Sequence, residues 1–279
     1  MRPAGEEPPV PAQRSAGEPG DRPPLRMTRD GPLVVLTMDA PPANLFDEPM
    51  WAAWTAAVEH LTDHPPRALL IRAEGRVVSA GVDVRVFADL PPDGSARFWA
   101  AQLRITQLLE RLPGPTVFAA HSLTLTAAFE LALACDLIVA PAAARFGLVE
   151  RKVAFTPAMG GTQRLAQRAG PARAKELVLT GGLYRADRLA EWGVVNRILA
   201  QPTFHRDAFA FAMGLATGPT RAHAATKRVV QAFVSGGVAA ADSLVPSLAG
   251  ELSATEDHRR AVQGFLADGP KHGTSYLGC

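Results

Sequence analysis

Cysteine is scarce in this chain of 279 residues, which contains only Cys135 and Cys279. Two thiols can build neither a disulfide framework nor a four-ligand zinc site, so we expect a reducing, cytoplasmic compartment. Long hydrophobic runs are missing as well. Even the apolar segment 123–144 is interrupted by Glu130 and Asp136, whereas a membrane-spanning helix needs roughly 20 apolar residues. A protein without a membrane span is therefore expected.

The chain also has little net charge. The chain has 29 basic and 27 acidic residues, for a formal net charge of +2, and 47% of its residues are hydrophobic. Arginine supplies 25 of the 29 basic residues, and these are spread along the chain rather than gathered on one helix. The composition is typical of a soluble enzyme or binding protein and does not favour nucleic-acid binding.

Several common catalytic signatures are absent from the sequence: GxSxG, GxGxxG after a strand, GxxxxGKS/T, HExxH and CxxC. The seven histidines are scattered, and none has a second ligand at metal-binding spacing. We therefore predict no metal site and none of the chemistries that these motifs perform.

The two ends of the chain read as tails. Residues 1–26 contain seven prolines and eight charged residues but few large apolar ones, and residues 269–279 have a similar character. The acidic residues in the first segment argue against an arginine-rich targeting peptide. Between the tails we expect an α/β core over 27–202 and a helical section over 203–268.

Within the core, short apolar runs alternate with helical patterns, which predicts an α/β fold with buried strands. The apolar runs lie at 32–39, 67–74, 115–121, 135–142 and 192–199. The helical patterns lie at 47–61, 95–112, 126–134, 161–168, 171–179 and 186–192. After residue 204 strand patterns stop, and four helices are predicted at 204–216, 220–235, 238–252 and 255–266.

Two glutamates stand out by their surroundings. Glu130 lies in LTLTAAFELALACD, where its neighbours are small or apolar, and an unpartnered buried carboxylate is costly. It is therefore a candidate functional acid, although a carboxylate stabilised near a helix N-terminus remains an alternative. Glu150, in RFGLVERKVAF, is either a second functional acid or part of an exposed turn with Arg151 and Lys152.

A loop of small residues, VVSAGVDV (77–84), is the third candidate feature. Small side chains let a ligand approach the backbone, where free amides can donate to an anion. A second set of small residues, 126–128, begins the helix that carries Glu130. Together the two segments can supply one amide each to a single oxygen, although an ordinary strand-to-loop turn has the same sequence pattern.

In this order and spacing, these segments resemble the crotonase superfamily, which is the enoyl-CoA hydratase/isomerase family. Five stretches carry the resemblance: DAPPANLFD (39–47), VVSAGVDV (77–84), AAFELALACDLIVA (127–140), RFGLVE (145–150) and TPAMGGTQRLAQRAGPARAKELVLTGG (156–182). The match runs from about residue 32 to 234, and the GGTQRL stretch is its most specific part. The resemblance implies a superhelix of ββα units with C-terminal helices that assemble a trimer or a dimer of trimers.

The resemblance also implies roles for particular residues. Glu130 and Glu150 match the two glutamates that hold a water molecule and move its proton, and the amides of Ala80 and Ala127 match the oxyanion hole. Gly81, Val82 and Asp83 adjoin Ala80 in the loop that contacts the CoA part of an acyl-CoA thioester. The substrate carries the CoA, so no cofactor and no metal are expected.

The sequence departs from the family pattern at two places. Where relatives have NGxAxGGGxE, this chain reads HSLTLTAAFE, so that Thr126, Ala127 and Ala128 replace three glycines. A side chain at a position that requires positive φ adds strain and narrows the room beside the thioester. In the second motif, Val149 and Ala154 replace the usual Pro and Gly of PExxxG.

The retained acids favour a hydratase that adds water to a 2-enoyl-CoA through an enolate. One alternative is a Δ3,Δ2-enoyl-CoA isomerase or another crotonase-type acyl-CoA reaction, for which a single glutamate suffices. The lost glycines keep a second alternative open, a catalytically silent protein that binds acyl-CoA.

Overall fold

The computed structural model describes residues 22–269, 273 and 275–279, without the side chains of Asp89 and Pro92. The strands are β1 Leu25–Asp30, β2 Leu33–Met38, β3 Ala68–Ala73, β4 Thr116–Ala119, β5 Thr124–Leu125, β6 Leu137–Ala140, β7 Arg145–Gly147, β8 Tyr184–Arg185 and β9 Arg197–Ile198. The α-helices are α1 Glu48–Asp63, α2 Arg85–Asp89, α3 Pro92–Arg111, α4 Ala127–Ala134, α5 Gly161–Ala169, α6 Pro171–Thr180, α7 Ala186–Glu191, α8 Phe204–Ala216, α9 Thr220–Ser253 and α10 Glu256–Asp268.

Two sheets form the core. The larger has the order β1-β2-β3-β4-β6-β9, in which every pair is parallel except β1 with β2. Strand β2 is buried along its whole length because both of its faces are covered. Val34 and Leu36 belong to the main core, whereas Leu33 and Val35 pack with Phe204 of α8 on the other face. This two-sided burial explains why the predicted strands are continuous apolar runs.

The smaller sheet has the order β5-β7-β8 and results from the ββα units that the family resemblance implies. In each unit the first strand joins the large sheet, the second joins the small sheet, and a helix follows: β4, β5 and α4, then β6, β7 and α5. Strands β5 and β7 are parallel neighbours. Glu130 lies in the first turn of α4, and Glu150 follows β7 after two residues. The parallel pairing therefore brings the two acids close enough for the charge of Glu130 to raise the pKa of Glu150.

The helical C-terminal section matches the sequence prediction closely. Helices α8 and α10 occupy two of the four predicted segments, and α9 covers the other two. Gly237, with φ 73° and ψ −171°, interrupts the helical backbone of α9 between the two segments that were predicted as separate helices. The prediction of two helices with a break at 236–237 is therefore confirmed.

The predicted tails agree less well with the structure. Residues 1–21 lie outside the described residues, but Leu25 and Arg26 already belong to β1, so the boundary at residue 26 is too late. At the other end the amides of Leu277 and Gly278 donate to the carboxylate of Asp257, each at 2.7 Å. Leu277 and Gly278 are thus held by hydrogen bonds, whereas residues 270–272 and 274 of the flexible tail predicted for 269–279 lie outside the described residues.

Helix α9 is the one helix in the described part of the chain that is long and apolar enough, by length and composition, to cross a membrane. Its break at Gly237 leaves two halves that are each shorter than the roughly 20 residues a span requires. Such a helix is weak evidence for a membrane protein, and the absence of a span stays a prediction.

Candidate active site

Glu130 is a buried carboxylate that accepts hydrogen bonds from a neighbouring segment. It lies in α4, whose residues are all buried, and the residue is only 3% exposed. Its Oε1 atom accepts from the backbone amides of Met159 and Gly161, each at 2.8 Å. Oε1 therefore binds the chain that leads into α5, and the alternative of a carboxylate that stabilises its own helix does not describe these contacts.

The segment that faces Glu130 is itself fixed by Arg164, which comes from the GGTQRL stretch. Its guanidinium is buried and pairs with Glu110, with Nη2 2.7 Å from Oε2. Its Nη1 donates to the carbonyl oxygens of Met159 and Gly160, each at 3.3 Å. Arg164 therefore positions the two amides that Glu130 binds, a role that the sequence did not reveal because it depends on contacts with α3.

Glu150 begins the 3-10 turn Glu150–Val153 and is 7% exposed. Within the part of the chain that the structure describes, neither of its carboxyl oxygens has a hydrogen-bond partner. The adjoining Arg151 and Lys152 are exposed. The interpretation as an exposed charged turn thus holds for the two basic residues but not for Glu150, which is directed into the protein.

Burial raises the pKa of both carboxyls. The pKa of Glu130 is raised to about 7, because the amides of Gly161 and Met159 and the charge of Arg164 only partly offset desolvation. The pKa of Glu150 is raised to about 8 by burial and by the negative charge of Glu130. Between these two pKa values the pair holds one proton, and the amide donors to Glu130 favour Glu150 as the group that carries it.

The hydrogen bonds of the loop 77–84 show which of its backbone amides are engaged within the protein. The amide of Ala80 donates to the carbonyl of Ala43 at 2.9 Å, so it is engaged within the protein rather than free for the oxyanion hole predicted there. The Val82 amide, two residues later, instead points to Thr126 Oγ1 at 3.1 Å, beside Ala127. Among the described residues the Ala127 amide has no acceptor, as expected at the start of a helix.

Known proteins similar to this chain are enzymes that act on acyl-CoA thioesters. The family model for enoyl-CoA hydratase/isomerase matches residues 28–272. The chain belongs to the enoyl-CoA hydratase/isomerase family. Carnitinyl-CoA dehydratase from Salmonella typhimurium is 33% identical over 217 residues, which cover 75% of this chain and 80% of that protein. The corresponding protein from Salmonella enteritidis is 34% identical over 214 residues, with the same coverage.

Solved structures agree with the family assignment. A putative enoyl-CoA hydratase from Streptomyces coelicolor has a TM-score of 0.86 and 25% identity, covering 97% of this chain and all of its own. An enoyl-CoA hydratase from Mycobacterium smegmatis has a TM-score of 0.82 and 25% identity, covering 88% of this chain and 97% of its own. The crotonase fold with a C-terminal helical section is thereby confirmed.

This enoyl-CoA hydratase/isomerase family member departs from the glycine-rich pattern in a specific way. Thr126 has φ 45° and ψ −117°, a conformation that strongly favours glycine. Ala127 and Ala128 lie within helix α4 and have negative φ, so methyl groups there introduce no backbone strain. Ala154, the other replacement of a glycine, adopts the left-handed conformation with φ 54°. Among the residues that replace family glycines, positive φ is thus confined to Thr126 and Ala154; elsewhere in the described chain Asn44, with φ 49°, is the other non-glycine residue with positive φ.

Asn44 is a site residue that the sequence analysis missed. Its Nδ2 donates to the carbonyls of Glu74, Val77 and Val78 at 3.0, 3.2 and 3.1 Å, and its Oδ1 accepts from the Ala40 amide at 2.6 Å. One buried side chain therefore holds the strand end that leads into the loop 77–84. The sequence feature that could have identified Asn44 is its place in the DAPPANLFD stretch, the first segment of the family resemblance.

Asp83, a predicted substrate-loop residue, is engaged with Arg85. Its carboxylate accepts from the Arg85 amide at 3.0 Å and forms an ion pair with the Arg85 side chain. This pairing lowers the pKa of Asp83. Among the described residues, no group of three or more His, Cys, Asp or Glu side chains is arranged to hold a metal ion.

Proposed function

We propose that this protein adds water reversibly across the C2–C3 double bond of a 2-enoyl-CoA thioester, with Glu130 and Glu150 as its acid–base pair. The observation that carries the proposal is the pair itself: two buried carboxyls, one supplied with amide donors and the other with none. A hydration needs one ionised and one protonated group at the same time, and these two environments provide both.

In the hydration direction, Glu130 acts as the base. It removes a proton from water as the water oxygen forms a bond to C3, and the electron pair of the C2–C3 double bond moves toward the thioester carbonyl. Glu150, kept protonated by burial, gives its proton to C2 as the enolate collapses. Each such proton transfer contributes roughly 10²- to 10⁴-fold to the rate. Dehydration follows the same steps in reverse.

The developing charge on the thioester oxygen requires hydrogen-bond donors fixed in advance. The Ala127 amide is one donor near this position, and the Val82 amide, which replaces the one predicted at Ala80, acts there through its hydrogen bond to Thr126 Oγ1. Ala80, Gly81 and Asp83 are proposed to shape the loop that contacts the CoA part of the substrate. Preorganised donors of this kind stabilise charge without any rearrangement at the moment of reaction.

The named relatives support a hydro-lyase over the two alternatives. Carnitinyl-CoA dehydratases eliminate water from an acyl-CoA, which is the reverse of the proposed reaction. An isomerase needs a single acid and leaves the second buried carboxyl without a role. A silent binding protein leaves both costly carboxyls unexplained.

The test follows the absorbance of the conjugated thioester with the wild type, Glu130→Gln, Glu150→Gln and the exposed control Glu59→Gln. Substrates are 2-enoyl-CoA thioesters of several chain lengths, 3-enoyl-CoA thioesters, and carnitinyl-CoA in the reverse direction. We expect hydration by the wild type and the control, with one deuterium incorporated at C2 in D₂O, and a loss of roughly 10²-fold or more in each Gln variant.

Two results would overturn the proposal. Conversion of 3-enoyl substrates that survives in Glu130→Gln contradicts the two-acid mechanism. Binding of the thioesters without any chemical change favours the silent alternative.

Assembly into a homo-oligomer through the C-terminal helices is also proposed. Helices α9 and α10 expose a series of large apolar side chains, at Val230, Phe233, Val234, Val238, Val245, Val262, Phe265 and Leu266. Exposed apolar surface of this extent is typical of an interface. Sedimentation analysis of the wild type and Phe233→Lys is expected to show a trimer or a dimer of trimers that the substitution weakens, whereas a wild-type monomer contradicts it.

A further inference from the structure

Thr126 adopts a conformation that is unusual for its residue type. A β-branched side chain is a genuine outlier at the φ of 45° that Thr126 adopts, because its Cβ crowds the neighbouring backbone there. The backbone on both sides is pinned, because the Thr126 amide donates to the Gly147 carbonyl at 3.0 Å and its carbonyl accepts from the Glu130 amide at 2.8 Å. A strained residue held this firmly, one position from Ala127, suggests a functional role.

The hydroxyl of Thr126 occupies a space that the opposite loop leaves for it. A Cβ added to Gly81, whose φ is 103°, would overlap Thr126 Oγ1, so glycine is required there by both conformation and contact. Oγ1 accepts a hydrogen bond from the Val82 amide at 3.1 Å, and Thr126 is only 7% exposed. The Val82 amide thus holds the hydroxyl in place at the start of α4.

A hydroxyl has one proton to donate besides the lone pairs through which it accepts. Among the described residues, Thr126 Oγ1 donates to no acceptor, and the neighbouring Ala127 amide also lacks one. Two buried donors on adjacent residues thus lie without an acceptor at the start of α4, the helix that carries Glu130. This pairing is what an oxyanion hole requires, with a hydroxyl in the place of one backbone amide.

We propose that the Thr126 hydroxyl, polarised by the Val82 amide, donates directly to the thioester oxygen of the substrate beside the Ala127 amide. The inference rests on the proposed acyl-CoA function and identifies a catalytic residue in the position of a family glycine. A hydrogen bond from Val82 makes the hydroxyl a stronger donor, because successive hydrogen bonds polarise one another. The strain at Thr126 is the cost of holding that donor in place.

The test compares Thr126→Val, Thr126→Ser and Thr126→Gly with the matched control Thr124→Val. Valine keeps the β-branched shape and its strain but removes the hydroxyl, and serine keeps the hydroxyl. Thr124 is buried in the same segment, where its hydroxyl bonds to the Ser122 carbonyl at 3.1 Å. Circular dichroism and thermal unfolding verify that each variant is folded.

Two measurements are made on each protein: kcat and KM for hydration, and the absorbance shift of bound 4-(dimethylamino)cinnamoyl-CoA, which reports polarisation of the thioester carbonyl without turnover. We expect Thr126→Val to lose the red shift and roughly 10²- to 10³-fold in kcat with little change in KM. Thr126→Ser should recover most of the red shift and of kcat. Thr126→Gly should retain the red shift, because without the hydroxyl the Val82 amide is free to donate to the thioester oxygen itself.

The outcomes separate this inference from the proposed function. A wild type that shifts the probe spectrum in a hydroxyl-dependent way but hydrates nothing supports the inference and contradicts the function. Hydration and a red shift that persist unchanged in Thr126→Val overturn the inference alone. It is also overturned if Thr126→Val is faster than the wild type, since the hydroxyl then obstructs the site, or if the wild type causes no red shift.

Discussion

The amide of Gly161 lies 2.8 Å from Glu130 Oε1, and a Cβ placed on Gly161 would lie 2.7 Å from Glu130 Cγ. The absence of a side chain at Gly161 is therefore what allows the carboxylate to reach the start of α5. Because Cγ carries the carboxyl group, any residue other than glycine must displace the proposed base.

Gly161→Ala should reduce hydration activity through this displacement. We expect kcat to fall by roughly 10-fold or more, because a shift of about 1 Å in a catalytic group is enough for losses up to 10²-fold. Gly214→Ala in α8 is the matched control, since an added Cβ there meets nothing within 4 Å. Unchanged kcat in Gly161→Ala would show that the Glu130 position is not critical.

The pH dependence of kcat/KM should be bell-shaped. Activity requires Glu130 ionised and Glu150 protonated, so the rate rises as Glu130 loses its proton and falls as Glu150 does. The two carboxyls interact, and the limbs near pH 7 and 8 belong to the pair. Because hydration and dehydration use the same singly protonated pair, both directions should show the same limbs, and a flat profile from pH 6 to 9 contradicts the mechanism.

Glu150→Gln should be more stable than the wild type, by a difference in the free energy of unfolding that grows as the pH rises. The folded-state pKa of Glu150 is raised from 4.5 to about 8, so between these values the folded protein retains a proton that the unfolded chain releases. This group therefore lowers the free energy of unfolding as pH rises through that window, and a neutral amide removes the effect. Urea unfolding at pH 5, 7 and 9 should show a growing advantage for the variant.

The size of that advantage is a few kcal/mol at most near pH 9, since a shift of one pKa unit corresponds to about 1.4 kcal/mol before solvent exposure is considered. Glu59→Gln, on the exposed surface of α1, is the control and should follow the wild type at every pH. An advantage for Glu150→Gln that does not change with pH would mean that Glu150 is not held protonated in the folded protein.

Asn44→Ala should weaken substrate binding and stability together. It removes the side-chain contacts to the backbone at Ala40, Glu74, Val77 and Val78 and leaves the buried Val78 carbonyl without this donor, at a cost of roughly 1 to 3 kcal/mol. KM should rise because the loop 77–84 is no longer fixed. Asn196→Ala is the comparison, since it also removes a side-chain contact to the backbone, at Ile138, and should leave KM unchanged.

Much of the fold was predictable because it depends on local patterns. Residues close together in the sequence produce the apolar runs of β2 and β3 and the helical periodicity of α1 and α8 to α10. The break at Gly237 in α9 is local in the same way. Strands β5 and β8, with two residues each, leave too short a pattern to detect. Strand β1 was missed because its first residues follow a proline-rich segment that reads as a tail.

By itself, the sequence determined the α/β class and the C-terminal helices, and it pointed to Glu130 and Glu150 as the candidate acids. Only the tertiary structure decided which groups around them are available. Ala80 and Val82 look equivalent in the SAGVD loop, yet one amide is taken by Ala43 and the other faces Thr126. The physical reason is that hydrogen-bond partners and burial, which set both donor availability and the pKa of a carboxyl, come from residues far apart in the chain.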